Sequence, residues 1–192
     1  MKVVLLHGKD TDPSQKWYPW FIKEVRSLST ECVAPVLPHP GDPILSDWLD
    51  EITATHPDDQ TILVGHSRGG VAILRWLEKL APGKKVYAVI LIATNSGYTE
   101  KVSASENSTT FFSERGYDFE KIKTHCDTFI VFHSRDDATV PFEAGGENAK
   151  GLEAKFLEFD GRGHFGRTVK DIPELIEEIK KLKSEFDSIN TL

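Results

Sequence analysis

Gly65-His66-Ser67-Arg68-Gly69-Gly70 sets a serine among glycines at the spacing G-x-S-x-G, directly after the apolar run Thr61-Ile62-Leu63-Val64 and directly before an amphipathic stretch. That pattern describes a strand-to-helix turn so tight that neighbours with a Cβ would clash, and it holds the serine hydroxyl above a sheet edge. The hydroxyl then stands beside a helix N-terminus, whose N–H groups favour negative charge as it develops. Nucleophilic attack on a carbonyl is the chemistry such a serine performs. It needs a base, because an alcohol is a poor nucleophile at neutral pH.

In this strand–turn–helix setting the acid and base follow in the order Ser, Asp, His, the base after the last strand and the acid after the strand before it. Both places are filled. Asp160-Gly161-Arg162-Gly163-His164-Phe165-Gly166 follows the apolar run Phe156–Phe159, which nominates His164 as base. His133-Ser134-Arg135-Asp136-Asp137-Ala138-Thr139-Val140-Pro141 follows Phe129–Phe132. Of its adjacent aspartates, Asp137 stands four residues before the proline of the Val-Pro pair and is preferred as the acid. Asp136 is the alternative, with a turn or the helix opening near Pro141 as its other use.

An oxyanion needs two N–H donors. The backbone of Arg68, the residue after the nucleophile, supplies one, and the loop His7-Gly8-Lys9-Asp10 after the first strand supplies the other, with Lys9 as the expected donor. Gly8 lets that loop come close to the serine. Trp17, in the helix that follows the oxyanion loop, is read as core or as a border of a substrate pocket, and His39, in the loop after the second strand, is another candidate border. His66 is read as packing under the nucleophile. His7, His39, His56, His125 and His133 show no metal-ligand spacing, so no metal is expected.

These residues need a scaffold, and the chain supplies strand-length apolar runs alternating with helix-period segments. Strands are expected at Lys2–His7, Cys32–Leu37, Thr61–Gly65, Val86–Ala93, Phe129–Phe132 and Phe156–Phe159. Helices are expected over Ser14–Leu28, from Asp42-Pro43 to about Thr55, over Arg68–Leu80, over Phe142–Leu152 despite Gly145-Gly146, and from Asp171 to about Phe186. Alternation of this kind implies right-handed crossovers, a parallel sheet and helices on both faces. No linker or repeat interrupts it, so a single domain over 1–192 is expected. The polar stretch Asn95–Thr124 is the longest without an evident element. It leaves the carboxyl end of the fourth strand, where such sheets place ligands, and is a candidate pocket wall.

Composition narrows the function classes. A net charge of −7 without a basic run argues against nucleic-acid binding. The two cysteines, Cys32 and Cys126, are too few for a disulfide framework and read as buried thiols. The apolar start Val3–Leu6 is too short for a secretory segment, and no run approaches a membrane span, so a cytoplasmic location without membrane contact is expected.

The elbow Gly-His-Ser-x-Gly-Gly, the segment Asp-Asp-x-x-Val-Pro, the segment Gly-His-Phe and Trp17-Tyr18-Pro19-Trp20 together resemble the small YdeN-like, retinoblastoma-binding protein 9-like serine hydrolases. The resemblance implies a minimal α/β-hydrolase: a six-stranded, mainly parallel sheet of order 2-1-3-4-5-6 with no large lid. It also implies carboxylic ester hydrolysis without a cofactor, with amide, peptide or thioester hydrolysis as neighbouring chemistries. A small-molecule acyl substrate is the expected partner. A Leu-x-Cys-x-Glu motif is absent around Cys32, so a retinoblastoma-type pocket partner is not carried over. A catalytically idle interaction protein on the same fold is the alternative, and the complete Ser-His-Asp set argues against it.

Overall fold

The computed structural model describes residues 1–99 and 110–190. The strands are β1 (Lys2–Leu6), β2 (Glu31–Val33), β3 (Thr61–His66), β4 (Ala88–Ile92), β5 (Phe129–Ser134) and β6 (Lys155–Phe159). The helices are α1 (Tyr18–Ser27), α2 (Leu45–Ala54), α3 (Arg68–Leu77), α4 (Phe119–Lys123), α5 (Phe142–Leu152) and α6 (Pro173–Asn190). The six strands form one sheet in the order β2-β1-β3-β4-β5-β6, and every pairing is parallel.

Strand residues alternate between the two faces of the sheet, as the two-residue period requires. Val3, Leu5, Ile62, Val64, Ile90, Ile92 and Phe132 pack with α1 and α6, including Phe21, Val25, Leu175 and Ile179. Val4, Leu6, Leu63, Val89, Leu91 and Val131 pack on the other side with Trp48 and Ile52 of α2, Val71 and Leu74 of α3 and Leu152 of α5. Both faces being covered explains why these strands read as unbroken apolar runs. Among the described residues no helix is long and apolar enough to cross a membrane.

Several boundaries differ from expectation, each for a local reason. Asp12 does not open a helix at Ser14: its carboxylate accepts from Ser14 N at 2.7 Å in an Asx turn, and α1 starts only at Tyr18 with Pro19 in its first turn. The second strand stops at Val33 rather than Leu37, since Pro35 has no N–H to give a ladder. The helix expected from Asp42-Pro43 begins at Leu45, and β5 runs two residues past Phe132.

The stretch 95–124 is less polar in space than in sequence. Phe111, Phe112 and Tyr117 are buried, and α4 follows them. Arg75 of α3 ties the segment down, donating to the carbonyls of Phe111 (3.0 Å), Gly116 (2.9 Å) and Gly97 (3.2 Å). The part of the expected pocket wall at 100–109 lies outside the described residues.

Candidate active site

Ser67 sits between β3 and α3 with φ 53° and ψ −120°, a backbone conformation that costs an L-residue of order 1–3 kcal/mol. The surroundings hold it there. A Cβ on Gly65 would lie 2.5 Å from the Cα of Gly70, so strand and helix meet only because residue 65 is glycine, and a Cβ on Gly70 would in turn strike Thr94. Ser67 N donates to Ile92 O at 2.8 Å, locking the turn to β4. Every residue of α3 is buried, and a fully buried Val, Leu or Ile contributes about 1.5–3 kcal/mol, so a few such side chains outweigh the strain.

His164 follows β6 and Asp137 follows β5, so the parallel register delivers all three side chains to the carboxyl edge of the sheet. His164 Nε2 lies 2.9 Å from Ser67 Oγ, and His164 Nδ1 lies 2.8 Å from Asp137 Oδ2. Ser67 and His164 keep partial solvent access, whereas the Asp137 side chain has none. Burial alone would raise the Asp137 carboxyl. Hydrogen bonds from His133 and His164, with the backbone N–H of Val140, outweigh it and hold the carboxylate well below its ordinary value. The other oxygen, Oδ1, accepts from Thr139 N at 2.8 Å and Val140 N at 2.9 Å.

Of the two uses considered for Asp136, the turn and the helix opening near Pro141, it serves the turn after β5 and does more besides. Its carboxylate accepts from Ser134 Oγ and from the backbone N–H groups of Gly161 (3.0 Å) and Gly163 (3.1 Å). One aspartate holds the ring of His164, and its neighbour holds the loop that carries it.

The loop after β1 approaches the serine closely: a Cβ on Gly8 would stand 3.2 Å from Ser67 Cβ. The carbonyl of Gly8 accepts from His7 Nδ1 at 2.8 Å and Thr11 Oγ1 at 3.0 Å. His7 donates at Nδ1 because its Nε2 must accept from Leu37 N, 2.9 Å away. In a trans peptide the N–H opposes the C=O, so two donors on Gly8 O turn the Lys9 N–H the other way. Arg68 is the first residue of α3, with its backbone N–H at the positive end of that helix.

Trp17 does not border an open pocket. It is fully buried, packs on Tyr18, Phe21 and His66, and donates its indole N–H to Phe165 O at 3.1 Å. His39 is exposed, in left-handed backbone with φ 49°, on the loop whose Pro40 carbonyl accepts from Asp10 N. It therefore flanks the loop that carries Lys9.

Sequence reasoning missed the hydrogen-bonding roles of three residues that shape this edge. Tyr18 Oη bridges Gly8 N (3.2 Å) and His66 Nδ1 (2.7 Å). His66 reaches the backbone carbonyl of His164 through Nε2 at 2.9 Å, a use beyond packing. His133 Nε2 lies 3.1 Å from Val140 O and 3.5 Å from Asp137 Oδ2, steadying the acid from below. A signal was present. His7, His66 and His133 all stand at the carboxyl ends of apolar strands, and a polar residue fully buried at such a place carries information that its apolar neighbours do not. Among the described residues no three His, Cys, Asp or Glu side chains gather as a metal-ligand set.

Comparison with known proteins identifies the family and the fold. The chain is 34% identical over 168 residues to Serine hydrolase RBBP9 of Rattus norvegicus, covering 86% of each chain. It is 30% identical over 166 residues to the Putative hydrolase YdeN of Bacillus subtilis, covering 85% of each. The crystal structure of the ydeN gene product from B. subtilis superposes with a TM-score of 0.87 over 95% of this chain and 98% of that one, at 26% identity. A family model described as serine hydrolase matches residues 3–170, and the chain belongs to that family, on an α/β-hydrolase fold.

Proposed function

We propose that the chain hydrolyses a small carboxylic ester through a Ser-His-Asp triad and an acyl-enzyme intermediate. The observation that carries this reading is the continuous chain Ser67 Oγ, His164 Nε2, His164 Nδ1, Asp137 Oδ2, with links of 2.9 and 2.8 Å. Ser67 Oγ attacks the carbonyl carbon while His164 Nε2 takes its proton. The oxyanion is held by the backbone N–H groups of Arg68 and Lys9. Asp137 stays ionised, keeps the proton of the imidazole on Nδ1, and stabilises the imidazolium as it forms.

Collapse of the tetrahedral species breaks the bond to the leaving alkoxide, which takes the proton from His164 Nε2 and departs as the alcohol. Water then attacks the acyl-serine, gives its proton to His164, and the second collapse returns that proton to Ser67 as the carboxylic acid leaves. Every proton and electron pair is balanced without a cofactor. An amide or thioester would pass through the same groups. With no large lid expected from the sequence, short soluble acyl groups are favoured over long chains.

Labelling with a fluorophosphonate probe, read by intact mass and peptide mapping, tests the reading directly. A stoichiometric adduct on Ser67, absent from Ser67→Ala and His164→Ala, is expected. Folded wild-type protein that takes no adduct would overturn the hydrolase reading in favour of an idle interaction protein. Faster turnover of long-chain nitrophenyl esters than of the acetate or butyrate would overturn the preference for short substrates.

A further inference from the structure

A depression of about 340 Å3 opens where the loop after β1 meets the loop after β6, lined by Gln15, Lys16, Arg167 and Lys170. Three cations and an amide line this space in a chain whose net charge is −7, and the amide of Gln15 donates to the Asp12 carboxylate at 2.7 Å. Among the described residues none of the three cations forms an ion pair. Lys16 is the least solvent-exposed of them, and its own backbone is left-handed with φ 56°. Burial lowers its ammonium to about 8, and Arg167 adds to the effect against a weaker opposing pull from Asp10. A partly buried ammonium pressed by a guanidinium is unfavourable unless an anion joins them.

The depression lies close to the proposed chemistry. Trp17, next to Lys16, donates to Phe165 O, and Phe165 is next to His164. Lys16 Nζ stands 6.0 Å from the Tyr18 ring centroid, and the Tyr18 hydroxyl contacts His66, the neighbour of Ser67. The charge of Lys16 also acts on His66, the residue before Ser67.

We propose that this depression is an anion subsite and that the substrate is an ester carrying a carboxylate or phosphate group, bound by Lys16, Arg167 and Lys170. The substrate class rests on the hydrolase reading above; the binding of an anion does not. A carboxylate on the acyl side and a phosphate on the leaving group share this recognition chemistry, and the choice of ester separates them.

Two measurements test the proposal. The first compares kcat/KM for 4-nitrophenyl butyrate, the 4-nitrophenyl hemiester of glutaric acid and 4-acetoxyphenyl phosphate. At least one anionic ester should exceed the neutral one by roughly tenfold or more, chiefly through KM, as charge-assisted hydrogen bonds allow. In Lys16→Met/Arg167→Met that ratio should fall toward 1. Lys79→Met/Lys84→Met, an equal charge change at exposed positions beyond α3, should retain it. Turnover of the neutral ester with no anionic preference overturns the substrate class and leaves the hydrolase reading standing.

The second needs no turnover. Inorganic phosphate and glutarate are titrated into isotope-labelled Ser67→Ala protein and followed by amide shifts. Saturable shifts around Lys16 and Arg167 that Arg167→Met weakens are expected; the exposed Arg167 can be replaced without opening the core. No saturable shift with either anion overturns the subsite even if Ser67 proves inert.

Discussion

The Tyr18 hydroxyl lies 2.7 Å from His66 Nδ1, and this contact joins the two loops that flank Ser67. A backbone carbonyl can only accept, so His66 Nε2, 2.9 Å from His164 O, carries the ring proton. Nδ1 is then the acceptor, and Tyr18 is its donor. The same hydroxyl accepts from Gly8 N. The result is a directed chain, Gly8 N–H to Tyr18 Oη–H to His66, and His66 Nε2–H to the backbone of His164. It passes beneath Ser67 and couples the loop that holds Lys9 to the loop that holds the base.

Tyr18→Phe removes the middle of that chain and leaves Gly8 N–H and His66 Nδ1 buried without partners. A stability loss of about 1–3 kcal/mol is expected from the abandoned groups. A fall in kcat with KM little changed should accompany it, because the loops lose alignment and the pocket keeps its walls. Urea melts and steady-state kinetics on a neutral nitrophenyl ester read the two effects separately. Unchanged kcat in a destabilised variant would reduce Tyr18 to a core residue.

The adjacent aspartates should separate sharply on amidation. Asp137 Oδ1 accepts two backbone N–H groups, so in Asp137→Asn the amide oxygen must stay there and the NH2 must face His164 Nδ1. That forces the wrong imidazole tautomer, and a loss near ~10⁴-fold in kcat is expected. Asp136 only accepts, from Ser134 Oγ and two loop N–H groups, and an amide oxygen can still do so. Asp136→Asn should lose roughly tenfold or less, since a neutral acceptor weakens but does not remove those bonds. Equal losses in the two variants would contradict the division of labour.

What could be read in the sequence was whatever depends on neighbours in the chain. Gly65, Ser67 and Gly70 announced a tight turn because the strain and the close approach sit within one segment. The order of Asp137 and His164 followed from the order of the strands. Tyr18 and Trp17 lie at a helix start among apolar residues and look like core, which they are; nothing local marks their polar tips as hydrogen-bonded to His66 and Phe165. Asp12 misled because an Asx turn and a helix cap use the same carboxylate-to-N–H bond. Gly145 looked like a weakness in α5, yet a Cβ there would stand 2.6 Å from the His133 ring, so it makes room for a partner twelve residues earlier. The polar stretch 95–124 concealed its buried aromatics because the residue that organises them, Arg75, belongs to a different helix.

Acid should destabilise the fold in two windows. Burial pushes His7 below the ordinary histidine value and His66 well below it. The unfolded chain protonates both near pH 6.5 while the folded chain resists protonation, most strongly at His66, so the unfolded chain binds more protons and stability falls as pH drops below about 6.5. Between pH 7.5 and 5.5 a histidine that stays neutral in the fold costs at most about 1.4 kcal/mol, and the larger share of the loss is expected from His66. His7→Gln should shrink the loss by less than half. The depressed carboxyl of Asp137 acts lower: its contribution is present above about 3.9 and is lost as pH falls through its folded value. Urea denaturation at pH 7.5 and 5.5 checks the first window, and equal stability at both would refute it.

Arg75 is the residue whose loss should cost the fold most outside the core. The residue is 8% exposed, and its guanidinium donates to the carbonyls of Phe111, Gly116 and Gly97, lies 4.6 Å from the Tyr117 ring centroid and pairs with Glu78 at 2.9 Å. Arg75→Met keeps much of the apolar stem but leaves the carbonyls and the Glu78 carboxylate without their donor, and a loss of about 3–5 kcal/mol is expected. Arg75→Lys should recover only a minor part. A single ammonium cannot span three carbonyls set around a planar fork, and it stacks less well on Tyr117. Urea unfolding of both variants, with limited proteolysis mapped to 97–117, measures this. A lysine variant within about 0.5 kcal/mol of wild type would show that charge at this position suffices and that the fork geometry is incidental.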